Sequence, residues 1–135
     1  MANPLNVFDV AGRAMSAQLM RLNTTASNLA NAGAVSSTEA DAYRSIKPVF
    51  KSSYDKATGM TTVDVQKVIT AGNAPTKRHE PGHPMANQDG DVFVSAVDET
   101  QELVEMMETS RQYQNNVEVM NTAKSLVLDT LKLGK

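Results

Sequence analysis

A chain of 135 residues with a net charge of −2 and no cysteine has room for about one domain, forms no disulfide and offers no clustered basic surface for nucleic acid. Only 4% of its residues are aromatic, none is tryptophan and eight are methionine, which speaks for soft apolar stripes and against a large spherical core. It opens without a basic segment leading into an apolar run, and no stretch reaches the ~18 consecutive apolar residues of a membrane span, so a soluble chain without an ordinary secretion signal is expected.

Asn3-Pro4 is a helix start, with asparagine as the cap and proline at the first helical position, where its missing N–H costs nothing. Leu5, Phe8, Gly12, Met15, Leu19, Leu22, Ala26, Leu29 and Gly33 follow at spacings of three and four, and all are apolar or small. The stripe predicts a helix ending near Asn31-Ala32-Gly33, with Gly33 in the left-handed conformation that terminates helices. Off the stripe lie Gln18, Arg21, Asn23, Thr24, Thr25 and Asn28, amides and hydroxyls that suit a surface meeting protein.

Prolines and glycines exclude a long helix from 36 to 94. Residues 44–54 and 60–69 flank the turn-like Asp55-Lys56-Ala57-Thr58-Gly59, which predicts a β-hairpin with Thr61, Val63 and Val65 on one face. Three prolines between 74 and 85 give an extended connector, either ordered or mobile, and Val92-Phe93-Val94 is a candidate returning strand.

From 97 to 133 there is neither proline nor glycine, and Leu103, Met106, Ser110, Tyr113, Val117, Met120, Lys124, Val127 and Leu131 form a second stripe, with seven of nine apolar. Capping boxes place its start at Ser95 or Asp98. Such a helix runs roughly 50 Å at 1.5 Å per residue. Ser110 and Lys124 mark drift of the seam towards Met107 and Ala123, because 3.6 does not divide seven. The expected fold is mainly α with a small β part. Long N- and C-terminal helices (1–35 and 95–135) pair as an antiparallel coiled-coil-like hairpin around a β-hairpin or extended insertion (36–94).

Candidate chemistry is sparse. His79-Glu80-Pro81-Gly82-His83 matches H-E-x-x-H in letters, but zinc chemistry needs both histidines on one helical face, and Pro81, Gly82 and Pro84 oppose that helix. Asn87-Gln88-Asp89-Gly90-Asp91 has Met85 where a calcium loop needs its first acid, so a turn is expected there. Neither histidine has a neighbouring serine to activate, and no catalytic, cofactor or metal residue is assigned. The residues singled out are instead the seam: Leu5, Phe8, Met15, Leu19, Leu22 and Leu29 with Leu103, Met106, Tyr113, Val117, Met120, Val127 and Leu131.

Arg21-Leu22-Asn23 with Ala26-Ser27-Asn28-Leu29-Ala30-Asn31-Ala32 resembles the N-terminal signature of the bacterial flagellar rod and hook axial protein family. Tyr43-Arg44, Pro48-Val49-Phe50, Glu80-Pro81-Gly82-His83-Pro84 and the run from Glu105 through Arg111 and Asn116 to Lys124 extend the likeness, within that family, to proximal-rod subunits. The sequence departs from the pattern at Asp91, where an aromatic is expected, and at Ser95-Ala96, where a proline-asparagine pair is common.

The resemblance implies a structural subunit of the basal-body rod in the periplasm, not an enzyme. It would polymerise through its terminal helices into a shaft that carries torque and surrounds the export channel. It also implies passage through the flagellar type III exporter without a cleaved peptide, and as neighbours FliE, FlgB, FlgF and further copies of the chain itself. The competing reading of the same stripes is a cytosolic helical-hairpin adaptor or chaperone that binds a partner helix. On either reading one seam both folds the subunit and meets the partner. Isolated, the terminal helices are expected to be poorly ordered, since ordering costs ~1–2 kcal/mol per residue.

Overall fold

The computed structural model describes residues 3–135 and runs α1 (Pro4–Ala30), β1 (Val35–Ser36), β2 (Ile46–Asp55), β3 (Met60–Thr70), β4 (Thr76–His79), β5 (Asp91–Val94) and α2 (Glu99–Leu133). Both helix starts follow from their caps. Asn3 Oδ1 accepts the Leu5 N–H at 3.1 Å, and Asp98 Oδ1 accepts those of Thr100 and Gln101 at 3.0 and 3.1 Å, which selects Asp98 over Ser95. Glu99 and Glu102 in the first turn of α2 and Lys132 in its last turn complement the helix dipole.

The end of α1 differs from expectation. Gly33 is not among the left-handed glycines, which are Gly59, Gly72 and Gly90. Instead the Asn31 side-chain amide donates to the Ser27 carbonyl at 2.8 Å, and the Ala32 N–H reaches the Leu29 carbonyl at 3.2 Å, so side-chain capping and a tightened last turn close the helix.

A helical hairpin with a small β insertion does not describe this chain. Nearly half is helix, at the two ends, but nearly a quarter is strand, in two separate antiparallel sheets. One is the β2–β3 ribbon, whose turn is held by Asp55: its carboxylate accepts the Ala57 N–H at 2.9 Å and the Thr58 hydroxyl at 3.0 Å. The other has the order β1-β5-β4, with Val35 and Thr76 both opposite Val94 and His79 opposite Asp91. Its strands of two and four residues are too short to leave a periodic signal. The prolines beside β4 also hide it, because the extended bias that reads as a connector suits an edge strand equally well.

The chain divides into two compact units. One comprises residues 23–47 and 68–106 and contains the three-stranded sheet with the end of α1 and the start of α2. Its buried residues include Val92, Ala32, Ala42, Thr24, Thr25, Asn28, Asp91, Ser95 and Glu102. Gly72 takes a φ of 108° that side chains rarely adopt, beside the Ala71 N–H to Ser45 carbonyl bond of 2.7 Å, and a Cβ there would lie 2.5 Å from the Ser45 hydroxyl. The other unit comprises residues through Leu22 with 48–67 and 107–135. Among its described residues Ala11, Ala17, Thr109 and Ala123 are buried.

Candidate functional site

The most connected side chain is Asn28. It is 1% exposed, its Nδ2 donates to the Ile46 carbonyl at 3.0 Å and to Glu102 Oε2 at 3.1 Å, and its Oδ1 accepts the Tyr43 hydroxyl at 2.8 Å and the Ile46 N–H at 2.9 Å. All four hydrogen-bonding positions of the amide are thereby filled. Ser27 Oγ lies 3.2 Å from the Tyr43 hydroxyl and extends the network. In the same unit as Asn28, one side chain ties the end of α1, the start of β2 and the start of α2.

The second cluster surrounds Asp91, which is buried with Lys77 Nζ at 2.7 Å from one carboxylate oxygen and His79 Nδ1 at 2.9 Å from the other. The hydrogen bond from Lys77, then that from His79, hold this carboxyl below its ordinary range, and Asp91 in turn raises the lysine. Asn87 Oδ1 accepts the N–H groups of Asp89 and Asp91, each at 2.9 Å, and Gly90 completes the turn at φ 77°. A Cβ on Gly90 would meet His79 and Pro81 at 3.1 and 3.2 Å.

His83 lies in the turn that follows β4, where its Nδ1 accepts the Met85 N–H at 3.0 Å, and Ser37 Oγ donates to the Met85 carbonyl at 2.8 Å. Pro81, Gly82 and Pro84 form the exposed part of this turn, and Glu80 pairs with Arg78 at 2.9 Å. Among the described residues no three His, Asp or Glu side chains converge as a metal site would require, and no helix is long and apolar enough to cross a membrane.

In the other unit, Gln18 Nε2 donates to Gln112 Oε1 at 2.9 Å, and Gln112 donates to Glu108 at 3.1 Å. Val7 shares an apolar groove with Val119, Ala123 and Leu126. Arg13 clasps the ribbon to α1, its Nη1 lying 3.1 Å from both oxygens of Asp64 and its Nε 3.3 Å from Asp9. A second groove, lined by Phe8, Gly12, Met20 and Val65, opens beside this clasp.

The stripe residues lie elsewhere. On α1 Leu5 is 65% and Leu19 45% exposed, while Phe8, Met15, Leu22 and Leu29 are half-buried. On α2 Leu103 is 52% and Leu131 63% exposed, with Met106, Tyr113, Val117, Met120 and Val127 half-buried. Of the motif residues, Asn28 is buried, Asn31, His83 and Asn116 are half-buried, and Arg111 is exposed. The inward face of α2 is the line Glu102, Thr109, Asn116 and Ala123, at spacings of seven, with Thr109 fully buried. At Lys124 the buried neighbour is Ala123, but at Ser110 it is Thr109, and Met107 stays exposed. A heptad of small and polar residues carries this signal in the sequence, and a search for apolar stripes passes over it.

Residues 8–34 match the family profile described as Flagella basal body rod protein, and residues 91–133 the one described as Flagellar basal body rod FlgEFG protein C-terminal. The chain is 47% identical over 134 residues to the flagellar basal-body rod protein FlgC of Salmonella typhimurium strain LT2, covering 97% of this chain and 98% of that protein. It is 46% identical over 132 residues to FlgC of Escherichia coli O6:H1 and 43% over 131 residues to FlgC of Yersinia enterocolitica, with the same coverage.

Proposed function

Because the chain belongs to the FlgC family of flagellar basal-body rod proteins, and is therefore a structural rod subunit and not an enzyme, we propose that the exposed stripes of its two terminal helices are the surfaces through which it polymerises. The observation that carries this reading is the separation of faces: alanine, threonine and asparagine close the subunit, while Leu5, Leu19, Leu103 and Leu131 stay in solvent. Burying one such leucine contributes about 2 kcal/mol. A row of them along helices of 27 and 35 residues supplies a continuous seam between neighbours without any covalent link.

In this reading the stretches 1–35 and 95–135 form the inner layer of the proximal rod around the export channel, and 36–94 lies outside. The half-buried Phe8, Met15, Leu22 and Leu29 of α1 and Met106, Tyr113, Val117, Met120 and Val127 of α2 complete the seam. The shaft transmits torque across the periplasm, and the subunit reaches it through the type III exporter without a cleaved peptide. Its neighbours are FliE, FlgB, FlgF and further copies of itself, as the family resemblance implies. The motif residues divide between two roles, since Asn28, Asn31, Pro81, Gly82, His83, Pro84 and Asn116 shape the subunit and the exposed Arg111 serves the interface.

The test is a paired substitution, Leu5→Asp with Leu19→Asp. The expected outcome is an unchanged far-ultraviolet circular dichroism spectrum together with loss of swimming and loss of the chain from isolated basal bodies. A variant that still enters basal bodies at the wild-type level would sink the seam assignment.

A further inference from the structure

The turn between β4 and β5 has a chemical weakness. Asp89-Gly90 is the single Asp-Gly step in the sequence, which has no Asn-Gly, and Asp89 is exposed. With no side chain on the following residue, the Gly90 nitrogen is unhindered for attack on the carboxyl group before it. The turn nevertheless requires this glycine. Its φ of 77° lies in the left-handed region, and a Cβ there would sit 3.1 Å from His79 and 3.2 Å from Pro81.

Folding restrains the attack. The Gly90 N–H donates to the Asn87 carbonyl at 3.0 Å, and the Gly90 carbonyl accepts the Glu80 N–H at 2.9 Å. Around them Asn87 Oδ1 accepts the N–H groups of Asp89 and Asp91, and the Asn87 N–H reaches the Asp91 carbonyl, each at 2.9 Å. To reach Asp89 Cγ the Gly90 nitrogen has to give up its bond to Asn87 and turn towards the side chain, which is a local opening of the turn.

We propose that Asp89-Gly90 is a site of spontaneous isoaspartate formation that the closed turn suppresses, so that the modification accumulates in chains whose β4–β5 end has opened. The Gly90 nitrogen forms a bond to Cγ of the protonated acid, the Cγ–OH bond breaks, and the hydroxyl leaves with the amide proton as water. Water then adds to the main-chain carbonyl of the succinimide, and the bond from that carbonyl to nitrogen breaks. The chain now runs through Cγ, with a free carboxylate on the old main-chain carbon. Mass is unchanged, and the main chain is longer by one methylene. Asn87 and Asp91 lose the spacing that their bonds need, and His79 and Asp91 lose their register at the end of the β4–β5 pairing. The isomer therefore holds the turn open and takes the Asp91 carboxylate away from Lys77 and His79.

The test incubates the purified full chain in mildly acidic buffer, with and without guanidinium chloride. Isoaspartate at 89 is read by mass spectrometry of peptides from a protease that cleaves before aspartate and not before isoaspartate. The folded chain is expected to isomerise about tenfold more slowly than the unfolded one, or slower still, and Asn87→Ala, checked as folded by circular dichroism, about tenfold faster than folded wild type. Asp89→Glu, whose ring would be one atom larger, should give no isomer. In isomerised chain returned to native buffer, the Glu80 and Asp91 amides should exchange hydrogen faster than in unmodified chain. Equal rates in folded and unfolded wild type, or a folded Asn87→Ala no faster than wild type, overturns the gating by the turn. A signal that persists in Asp89→Glu overturns the assignment to this step, and unchanged exchange at Glu80 and Asp91 overturns the effect on the sheet.

Discussion

Along α1 the buried positions are Ala11, Ala17, Thr24, Thr25 and Asn28, while Leu5 and Leu19 are exposed and Phe8, Met15 and Leu22 are half-buried. In a freestanding globular domain the leucines would be inside. Here small side chains let neighbouring backbone approach, and hydrogen bonds give the inner face its specificity, as the four bonds of Asn28 show. The outer face leaves hydrophobic surface in solvent at Leu5 and Leu19. If assembly uses the exposed leucines as proposed, fold and assembly draw on different chemistry, and mutations should separate them.

The largest effect is expected at the inner face. Asn28→Ala leaves the Glu102 carboxylate, the Tyr43 hydroxyl and both backbone groups of Ile46 without their partner, and should lower stability to urea by about 3 kcal/mol. Ala17→Leu tests whether that face is as tight as its burial implies. Overpacking there should cost about 2 kcal/mol in the same measurement, and a neutral result would mean the contact is looser than drawn.

Next in size is the pH response of the sheet containing β5. The folded-state pKa of Asp91 is depressed, so its stabilising contribution is complete above the unfolded carboxylate value of ~3.9 and is lost as pH falls through the folded value. The Lys77 pKa is raised, so its share is complete below the ordinary lysine range and is lost as pH rises through the folded value. Asp91→Asn should flatten the acid limb of the unfolding midpoint plotted against pH. An acid limb identical to wild type would show that the cluster does not govern it.

The smallest effect on folding belongs to the outer face. Leu19→Ala should change monomer stability by less than about 0.5 kcal/mol while reducing incorporation into basal bodies. A large loss of stability there would erase the contrast between the faces.

Much of the secondary structure was legible because its signals are long or chemically specific. The 27- and 35-residue helices repeat their pattern many times, Asn3 and Asp98 cap by side-chain chemistry, and Asp55 to Gly59 is a turn by composition. What escaped was short or non-local. Val35–Ser36 pairs with a strand almost sixty residues later, and nothing in two residues announces that. The weight of the β part was underestimated for the same reason, since Thr76–His79 stood behind its prolines. Thr24, Thr25 and Asn28 were recognisable as meeting protein, but an apolar stripe cannot say that the protein they meet is their own chain. The apolar spacing on α2 also passes over Glu102, Thr109 and Ala123, the buried positions of that helix, because none of them belongs to an apolar stripe.

Among the described residues the buried apolar side chains are five alanines, Pro75 and Val92. Heat capacity on unfolding scales with the apolar area exposed, so melting of the isolated subunit should give a broad calorimetric transition with a small heat-capacity step. On the proposed assembly through the exposed leucines, that step belongs to polymerisation instead. Cooling weakens apolar association, so an assembly held by those leucines should loosen in the cold at temperatures where the subunit itself stays folded.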